Sequence, residues 1–249
     1  MKNHRKNTGQ VEALRRQIAQ FEGGQAERRP TVVSSGCQPL DRLLPGRGFR
    51  RGTLIEWLAV GEGSGAGTLA LAAAGAACRD GGMLVVLDRR REFYPPAALY
   101  IAVDPQNLIV VRAAGQADND WVLDQALRSP AVAAVLAWPE KLDGRTFRRL
   151  QLAAEESGAV GLFVRSASVR DEPSWADVRL LVEPLPLPAG VESARMRRLR
   201  IHLLRYRGTT NGRRVNVDSL DVDIDDETHT MHLVTPLAVA TAPRQATRA

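Results

Sequence analysis

The sequence has little cysteine and few aromatic side chains. Its 249 residues include two cysteines, Cys37 and Cys78, whose wide separation matches neither a zinc site nor a disulfide framework. We therefore expect two reduced thiols, no metal and no disulfide. Phenylalanine, tryptophan and tyrosine make up only 5% of the residues, and most of them lie in apolar runs. The sequence therefore offers no evident aromatic platform on which single-stranded bases would stack.

Long hydrophobic runs are also missing. The most apolar segment, 69–78, is alanine-rich and is followed at once by Arg79 and Asp80, so it is far shorter than a membrane-spanning helix. The first six residues lead into polar sequence rather than into the apolar region of a signal peptide. The hydrophobic fraction of 44% is nevertheless high enough for a folded core. These properties predict a cytoplasmic protein without membrane contact, and they leave association with the nucleoid open.

Apolar strands alternate with helical patterns through the middle of the chain. The predicted strands lie at 53–58, 83–88, 108–112, 132–138, 160–164 and 178–182, and the predicted helices at 67–78, 96–101, 119–128 and 145–156. Such alternation of continuous apolar strands with helices indicates a mostly parallel sheet covered by helices on both faces. The predicted fold class is therefore α/β.

Composition divides the chain into four predicted regions. They are an N-terminal amphipathic helix with its linker, an α/β core, an antiparallel ribbon added to the same sheet, and a disordered tail, at 1–30, 31–184, 185–240 and 241–249. Leu14, Ile18 and Phe21 form the apolar stripe of the first helix. That stripe could dock either on its own core or on a partner. Pro184, together with the prolines that follow it, predicts a linker before the ribbon.

Charge is unevenly distributed over the ribbon. Of 34 basic residues only three are lysine, and the net charge is +6. Residues 195–214 hold eight arginines and no acid, and residues 215–235 hold six acids and no base. Alternation along the first ribbon strand places Leu199, Ile201 and Leu203 on one face. The other face is predicted to carry Arg198, Arg200, His202 and Tyr206.

Two interpretations of these ribbon arginines remain open. They could contact DNA phosphates in a sequence-independent, salt-sensitive way. They could instead pair across the ribbon with Asp218, Asp221 and Asp223 on the returning strand. Arg213 and Arg214, at the predicted hairpin tip, have no acid near them in sequence and are the better candidates for contact with DNA or a partner.

A glycine-rich segment lies between the first predicted strand and the first predicted helix of the core. Phosphate-binding loops occupy this place, because backbone amides at a helix N-terminus hold phosphates while a lysine reaches the β- and γ-phosphates. A weak, vestigial nucleotide site would use Gly61, Gly63, Ser64, Gly65, Gly67 and Thr68. The alternative is that the glycines only permit a tight turn from strand to helix.

Several segments resemble a known fold. Ser34-Ser-Gly36 and Gly52-Thr-Leu-Ile-Glu56 are similar to the entrance of a RecA-type ATPase core, and Gly65-Ala-Gly-Thr-Leu-Ala-Leu71 is similar to the segment that contains its Walker A lysine. The run Arg198-Leu-Arg-Ile-His-Leu-Leu-Arg-Tyr-Arg-Gly208 is similar to the ending of the ImuA family, RecA-related accessory proteins of SOS-induced mutagenic repair. This resemblance, which covers roughly residues 34–224, implies a RecA-like core with the C-terminal ribbon.

The chain departs from the ATPase pattern at three places. With Gly65 on the last glycine of the loop, the Walker lysine position is Ala66, and the Walker B aspartate position falls on Trp138. After the second strand, three arginines precede Glu92, which is displaced from the position of the catalytic glutamate. Phosphoryl transfer depends on positioning and electrostatics that these residues do not supply. We therefore expect a pseudo-ATPase without hydrolysis.

Arg89, Arg90 and Arg91 follow the second strand at its carboxyl end, which is the edge where α/β sheets place ligands. They could bind an anion, such as a phosphate or the carboxylates of a partner, or they could form a solvated turn. Trp57 and Trp138, within or at the end of apolar strands, are predicted to be core residues.

The resemblance implies a non-catalytic accessory role in DNA-damage-induced translesion synthesis, without metal or cofactor. The implied partners are an ImuB-like Y-family polymerase homologue and an error-prone replicative polymerase, with RecA and DNA as further candidates. Leu14, Ile18 and Phe21 would then form the docking element. Two alternatives belong to other classes: a nucleotide-dependent recombinase, and a DNA-binding module that uses the arginine-rich ribbon.

Overall fold

A computed structural model describes residues 31–100, 103–187, 196–207, 219–225 and 230–234. Its strands are β1 (Val32–Val33), β2 (Phe49–Arg50), β3 (Leu54–Ala59), β4 (Met83–Leu87), β5 (Leu108–Val111), β6 (Val132–Ala137), β7 (Val160–Ser166), β8 (Val178–Leu185), β9 (Met196–Tyr206), β10 (Ser219–Asp225) and β11 (Thr230–Leu233). Its α-helices are α1 (Gln38–Leu43), α2 (Ala66–Cys78), α3 (Pro96–Tyr100), α4 (Gln116–Arg128) and α5 (Gly144–Ser157). None of these helices is long and apolar enough to span a bilayer.

Some predicted features lie outside the described residues. They are the N-terminal helix and linker at 1–30 with Leu14, Ile18 and Phe21, the hairpin-tip residues Arg213 and Arg214, the acid Asp218, and the tail 241–249.

Strands β3 to β11 form one nine-stranded sheet, in the order β11-β10-β9-β8-β3-β7-β6-β4-β5. From β8 to β5 in this order, neighbouring strands run parallel. Beyond β8, the three C-terminal strands add antiparallel pairs. This arrangement confirms the predicted α/β class, with a mostly parallel sheet and a C-terminal antiparallel ribbon.

Helices cover both faces of the parallel strands. Alternate residues of β4 belong to different cores: Leu84 and Val86 pack on the α2 side, and Val85 packs on the α4 and α5 side. Helix α2 is buried over most of its surface, because its many alanines and glycines let it lie close to β3, β6 and β7. On the other side, Phe147 and Leu150 of α5 are fully buried, as their helical spacing predicts.

Two element boundaries differ from prediction. Helix α4 begins three residues earlier than expected. The sequence pattern missed its first turn because that turn is polar and carries no apolar periodicity. Strand β8 continues through Pro184 to Leu185, so a portion of the predicted linker is strand. The pairing of β8 with β3 ends at Val182, while its pairing with β9 continues. Pro184 therefore lies where β8 has a strand on one side only, a place that tolerates a residue without an N–H.

A β-bulge between β8 and β9 changes which side chains share a face. Arg179 pairs with Arg205, but Leu180 pairs with Leu203, so Leu204 is an extra residue on β9. The bulge reverses the alternation beyond it. Tyr206 consequently packs against the core that contains Leu199, and the prediction that it shares a face with Arg198 and Arg200 is wrong.

Candidate functional site

The glycine loop joins β3 to α2 at the carboxyl edge of the parallel strands. Gly63 and Gly65 have φ values of 71° and 82°, a left-handed conformation that favours glycine. A Cβ added at Gly61, Gly63 or Gly67 would meet nothing within 4 Å, so the loop is open at these positions. A Cβ at Gly65, in contrast, would lie 2.3 Å from Cδ1 of Leu199, so the Leu199 side chain of β9 packs closely against the loop there.

The next residues form the start of α2. Ala66, which the sequence comparison predicts at the Walker lysine position, is only 1% exposed and belongs to the hydrophobic core. Ser64 is also buried. Gly67 and Thr68 are half-buried and line the cavity beside the helix. Ala66 is therefore closed to solvent, while the two residues after it are partly accessible from the cavity.

The turn after β4 is organised by a buried carboxylate. Asp88 is 3% exposed, and its Oδ1 accepts hydrogen bonds from the backbone N–H groups of Glu92 and Phe93, at 2.8 and 3.2 Å. Its Oδ2 lies 3.2 Å from Nε of Arg112. Within this turn Arg91 adopts a left-handed conformation, with a φ of 61°. Asp88 thus fixes the turn from beneath, and the side chains between it and Phe93 are exposed.

Two of the three arginines of this turn, Arg89 and Arg90, make separate side-chain contacts. Arg89 donates from Nη1 to Oε1 of Gln116 at 2.7 Å. Nη2 of Arg90 lies 3.0 Å from Oε1 of Glu140, and both side chains are about half exposed. This hydrogen bond lowers the pKa of the Glu140 carboxyl and raises that of the Arg90 guanidinium. Arg90 and Glu140 therefore join the β4 turn to the turn after β6.

Trp138 lies beside this ion pair and is 37% exposed, so the prediction that it is a core residue is wrong. The reason is that β6 ends at Ala137, one residue earlier than expected, and Trp138 leaves the sheet at its carboxyl edge. Its ring centroid is 6.3 Å from that of Phe93, with an angle of 44° between the two planes. Trp57, in contrast, is fully buried, as predicted.

A cavity of about 440 Å³ lies between α2, the β4 turn and Trp138. Its apolar wall includes Leu71, Phe93, Tyr94, Leu136 and Trp138. A second cavity, of about 940 Å³, runs along the glycine loop and shares Gly67, Thr68, Arg90 and Trp138 with the first. The predicted loop residues and Arg90 therefore belong to one continuous recess at the carboxyl edge of the sheet.

A buried ionic cluster supports the strand that leads into the glycine loop. Glu56 of β3 has no exposed surface, and its Oε1 accepts a hydrogen bond from Nη1 of Arg165 at 2.7 Å. Its Oε2 accepts from the hydroxyl of Ser174 and lies 2.7 Å from Nε of Arg179. The cluster connects β3, β7 and β8. The sequence analysis missed it, although a glutamate inside an apolar strand run was a visible signal.

The ribbon arginines pair with the acids of the returning strand. Nε and Nη2 of Arg198 donate to the two carboxylate oxygens of Asp223 at 2.7 and 2.8 Å. Arg200 makes the same two-pronged contact with Asp221 at 2.7 and 2.9 Å. The contact lowers the pKa of the Asp221 carboxyl. The cross-ribbon interpretation is therefore confirmed for these two pairs.

Comparison with known proteins shows which proteins this chain is similar to. No family model matches the chain. The chain is 35% identical to the protein ImuA of Caulobacter vibrioides over 141 residues, which cover 54% of this chain and 58% of the relative. The chain is a RecA-like relative of ImuA. It thus matches just over half the length of the curated ImuA proteins.

Matches to RecA itself are weaker and shorter. RecA of Rhodopirellula baltica is 30% identical over 104 residues, which cover 42% of this chain and 28% of that RecA. RecA of Thermosynechococcus vestitus is 34% identical over 115 residues, which cover 46% of this chain and 32% of that RecA. The relation to ImuA and RecA agrees with the RecA-like core and its antiparallel C-terminal strands.

Proposed function

We propose that this ImuA-like chain is a non-catalytic accessory protein of DNA-damage-induced translesion synthesis, within the SOS response, and that it acts through protein contacts. Its proposed partners are an ImuB-like Y-family polymerase homologue and an error-prone replicative polymerase, with RecA and DNA as further candidates. The similarity to ImuA supports this general role. A location in the cytoplasm, where these partners work, belongs to the proposal.

The observation that carries the non-catalytic aspect is the burial of Ala66. An ammonium at this position would have to lie in the hydrophobic core, because the site is 1% exposed. Without a lysine the charge on a bound γ-phosphate is not neutralised, and phosphoryl transfer relies almost wholly on such electrostatics.

Trp138 supports the same proposal. The indole of tryptophan offers one N–H donor and no oxygen, so it cannot hold Mg²⁺ directly or through water. It stands where β6 ends, at the recess beside the glycine loop. Weak binding of an anion to the backbone amides of the open loop is compatible with the proposal. Binding and hydrolysis of a nucleotide are not.

Two ribbon arginines that were candidates for DNA contact are already paired within the ribbon. Arg198 and Arg200 are each held by an aspartate, so phosphates would have to displace these carboxylates. Arg213 and Arg214 remain candidates for contact with DNA or a partner, and Leu14, Ile18 and Phe21 remain the proposed docking element.

The deciding experiment is a calorimetric titration of the full chain with ATP and Mg²⁺, with a hydrolysis assay on the same sample. We expect neither saturable binding at millimolar ATP nor phosphate release above the protein-free control. Micromolar binding with turnover would overturn the proposal in favour of a nucleotide-dependent recombinase. Thr68 and Glu92, which line the recess, would then be the first residues to replace.

A further inference from the structure

The smaller cavity, of about 440 Å³, has an apolar and aromatic wall. Leu71 comes from α2, Phe93 and Tyr94 from the turn after β4, and Leu136 and Trp138 from β6 and its end. Its volume falls in the usual range of ligand sites, about 300–1,000 Å³. Tyr94 is 67% exposed and Trp138 is 37% exposed. Two large aromatic side chains at an open recess are typical of surfaces that bind another protein.

The cavity is shaped for a side chain rather than for a nucleobase. The rings of Phe93 and Trp138 are inclined by 44°, so they do not form the parallel-walled slot that would hold a flat base. Apolar side chains of α2 and β6 close the rest of the wall. A branched or aromatic side chain would fit such a wall through area burial, without a stacking geometry.

The mouth of the cavity carries guanidinium groups as well as acids. Arg89, Arg90 and Arg197 line it, together with the acids Glu92 and Glu140. The nearby carboxylate of Asp88 is buried and already accepts three hydrogen bonds. The hydrogen-bond partner of Arg89 is the neutral side chain of Gln116. Arg89 therefore offers a guanidinium to a negatively charged ligand at the mouth, because its own partner there is uncharged.

One of these cations can exchange its partner. The ion pair of Arg90 and Glu140 is exposed at both ends, at 60% and 46% of the side-chain surface. Exposed pairs of this kind contribute little to stability, because water solvates both groups when they separate. A carboxylate arriving from outside could therefore take the place of Glu140 at little cost.

We infer that this cavity receives a bulky apolar side chain from a linear segment of a partner protein, and that Arg89 and Arg90 bind a neighbouring carboxylate of that segment. The apolar side chain fills the space between Leu71, Phe93 and Trp138. This inference rests on the proposed function, since it assumes that the chain acts through protein contacts. It adds the place of contact and the chemistry of the bound segment.

The test uses random 12-residue peptides displayed on phage, selected against the full chain and then titrated as synthetic peptides. Selected peptides should carry leucine, phenylalanine or tryptophan within two positions of aspartate or glutamate. Trp138→Ala should raise Kd about tenfold, the size expected for a central apolar contact. Arg89→Glu should also raise Kd, and this effect should disappear for a peptide whose acid is replaced by alanine.

Matched variants separate binding from folding. Trp121→Ala removes a tryptophan of α4 that is 40% exposed and should leave Kd unchanged. If Trp138→Ala lowers the unfolding temperature, Tyr94→Ala takes its place, because the more exposed Tyr94 can be truncated with less effect on the core. Enrichment of no peptide, or of peptides whose Kd is insensitive to both variants, overturns the assignment.

The same titration distinguishes this inference from the proposed function. Peptides that bind elsewhere on the chain would overturn the cavity assignment and leave an accessory role through protein contacts intact. Hydrolysis of ATP by the same sample would overturn the proposed non-catalytic role, and the response of Kd to the Trp138 and Arg89 variants would still decide the cavity assignment. We expect the peptide to stay bound at millimolar ATP.

Discussion

Glu56 is a charged residue in an otherwise apolar strand, and its neighbours compensate for its burial. Two guanidiniums and one hydroxyl contact its carboxylate, each at 2.7 Å. Burial of ions is costly, so such a cluster stabilises a fold only while it is complete. Because Glu56 lies four residues before Val60, the cluster also fixes the strand from which the glycine loop departs.

We expect Glu56→Gln to lower the free energy of unfolding by about 3–5 kcal/mol, because it removes the buried counter-charge of Arg179 and leaves Arg165 with only the exposed carboxylate of Glu172. Urea unfolding followed by circular dichroism would measure the loss. The matched control is Glu172→Gln. Glu172 contacts the same Arg165 but is 54% exposed, so its replacement should cost less than about 1 kcal/mol. Equal effects of the two variants would contradict a buried cluster.

Ala66 and Gly67 offer a second comparison at the level of single residues. Ala66→Lys should destabilise the fold by at least about 1–3 kcal/mol, because it overfills a closed site and buries an amine. Gly67→Thr should change stability by less than about 1 kcal/mol, because a Cβ there meets nothing within 4 Å. Thermal unfolding would measure both. An Ala66→Lys chain that is as stable as the parent and binds ATP would contradict the burial argument.

Among the structural elements, the ribbon shows best how charge and register agree. The bulge at Leu204 lies beyond the arginine and aspartate pairs, so it leaves them in register. Arg198 faces Asp223 and Arg200 faces Asp221 across the same pair of strands. Opposite charges directly across an antiparallel ladder stabilise that pairing over a slipped one.

The ribbon should therefore respond to acid. Arg200 lowers the pKa of Asp221 in the folded chain, so this carboxyl stabilises the fold above its unfolded pKa of about 3.9. The contribution is lost as the pH falls through the lower, folded pKa. Asp221→Asn should reduce the urea midpoint slightly near neutral pH, and the difference should vanish in acid. Asp171→Asn, at an exposed aspartate outside the ribbon, is the control. A difference that persists unchanged in acid would contradict this account.

Much of this element structure could be predicted from the sequence, because continuous apolar strands and helical stripes leave a strong pattern. The six core strands and the buried stripe of α5 follow from it. The side-chain direction of Tyr206 could not be predicted, because one extra residue in β9 reverses the alternation and the composition of the strand does not reveal it. Trp138 was misassigned for a related reason: whether a strand ends one residue earlier depends on its neighbours.

The candidate site was only partly visible in the sequence. Spacing alone located the glycine loop and the arginine turn at the carboxyl edge of the sheet. The apolar cavity between them depends on Leu71, Phe93 and Trp138 meeting in space, although they are distant in sequence. The Glu56 cluster likewise needs strands β3, β7 and β8 side by side before its charges can pair.

For the whole molecule, the order of strands matters more than their number. The last three strands extend the sheet on the β8 side, while β4, β5 and β6 lie on the other side of β3 and β7. The glycine loop follows β3, which lies near the middle of the sheet. Leu199 of β9, from the C-terminal region of the chain, packs against Gly65 of this loop. Sequence segments that are far apart therefore meet at one recess.

The contact between Leu199 and Gly65 has a consequence for the order in which the protein matures on the ribosome. Residue 65 is synthesised long before residue 199, yet the loop has its final support only after β9 has paired with β8. Until then, the nascent chain carries a glycine loop whose wall is missing. A shortened chain that ends before the ribbon would lack the contact of Leu199 with Gly65. A nucleotide-binding measurement on it would therefore not represent the chain that includes the ribbon.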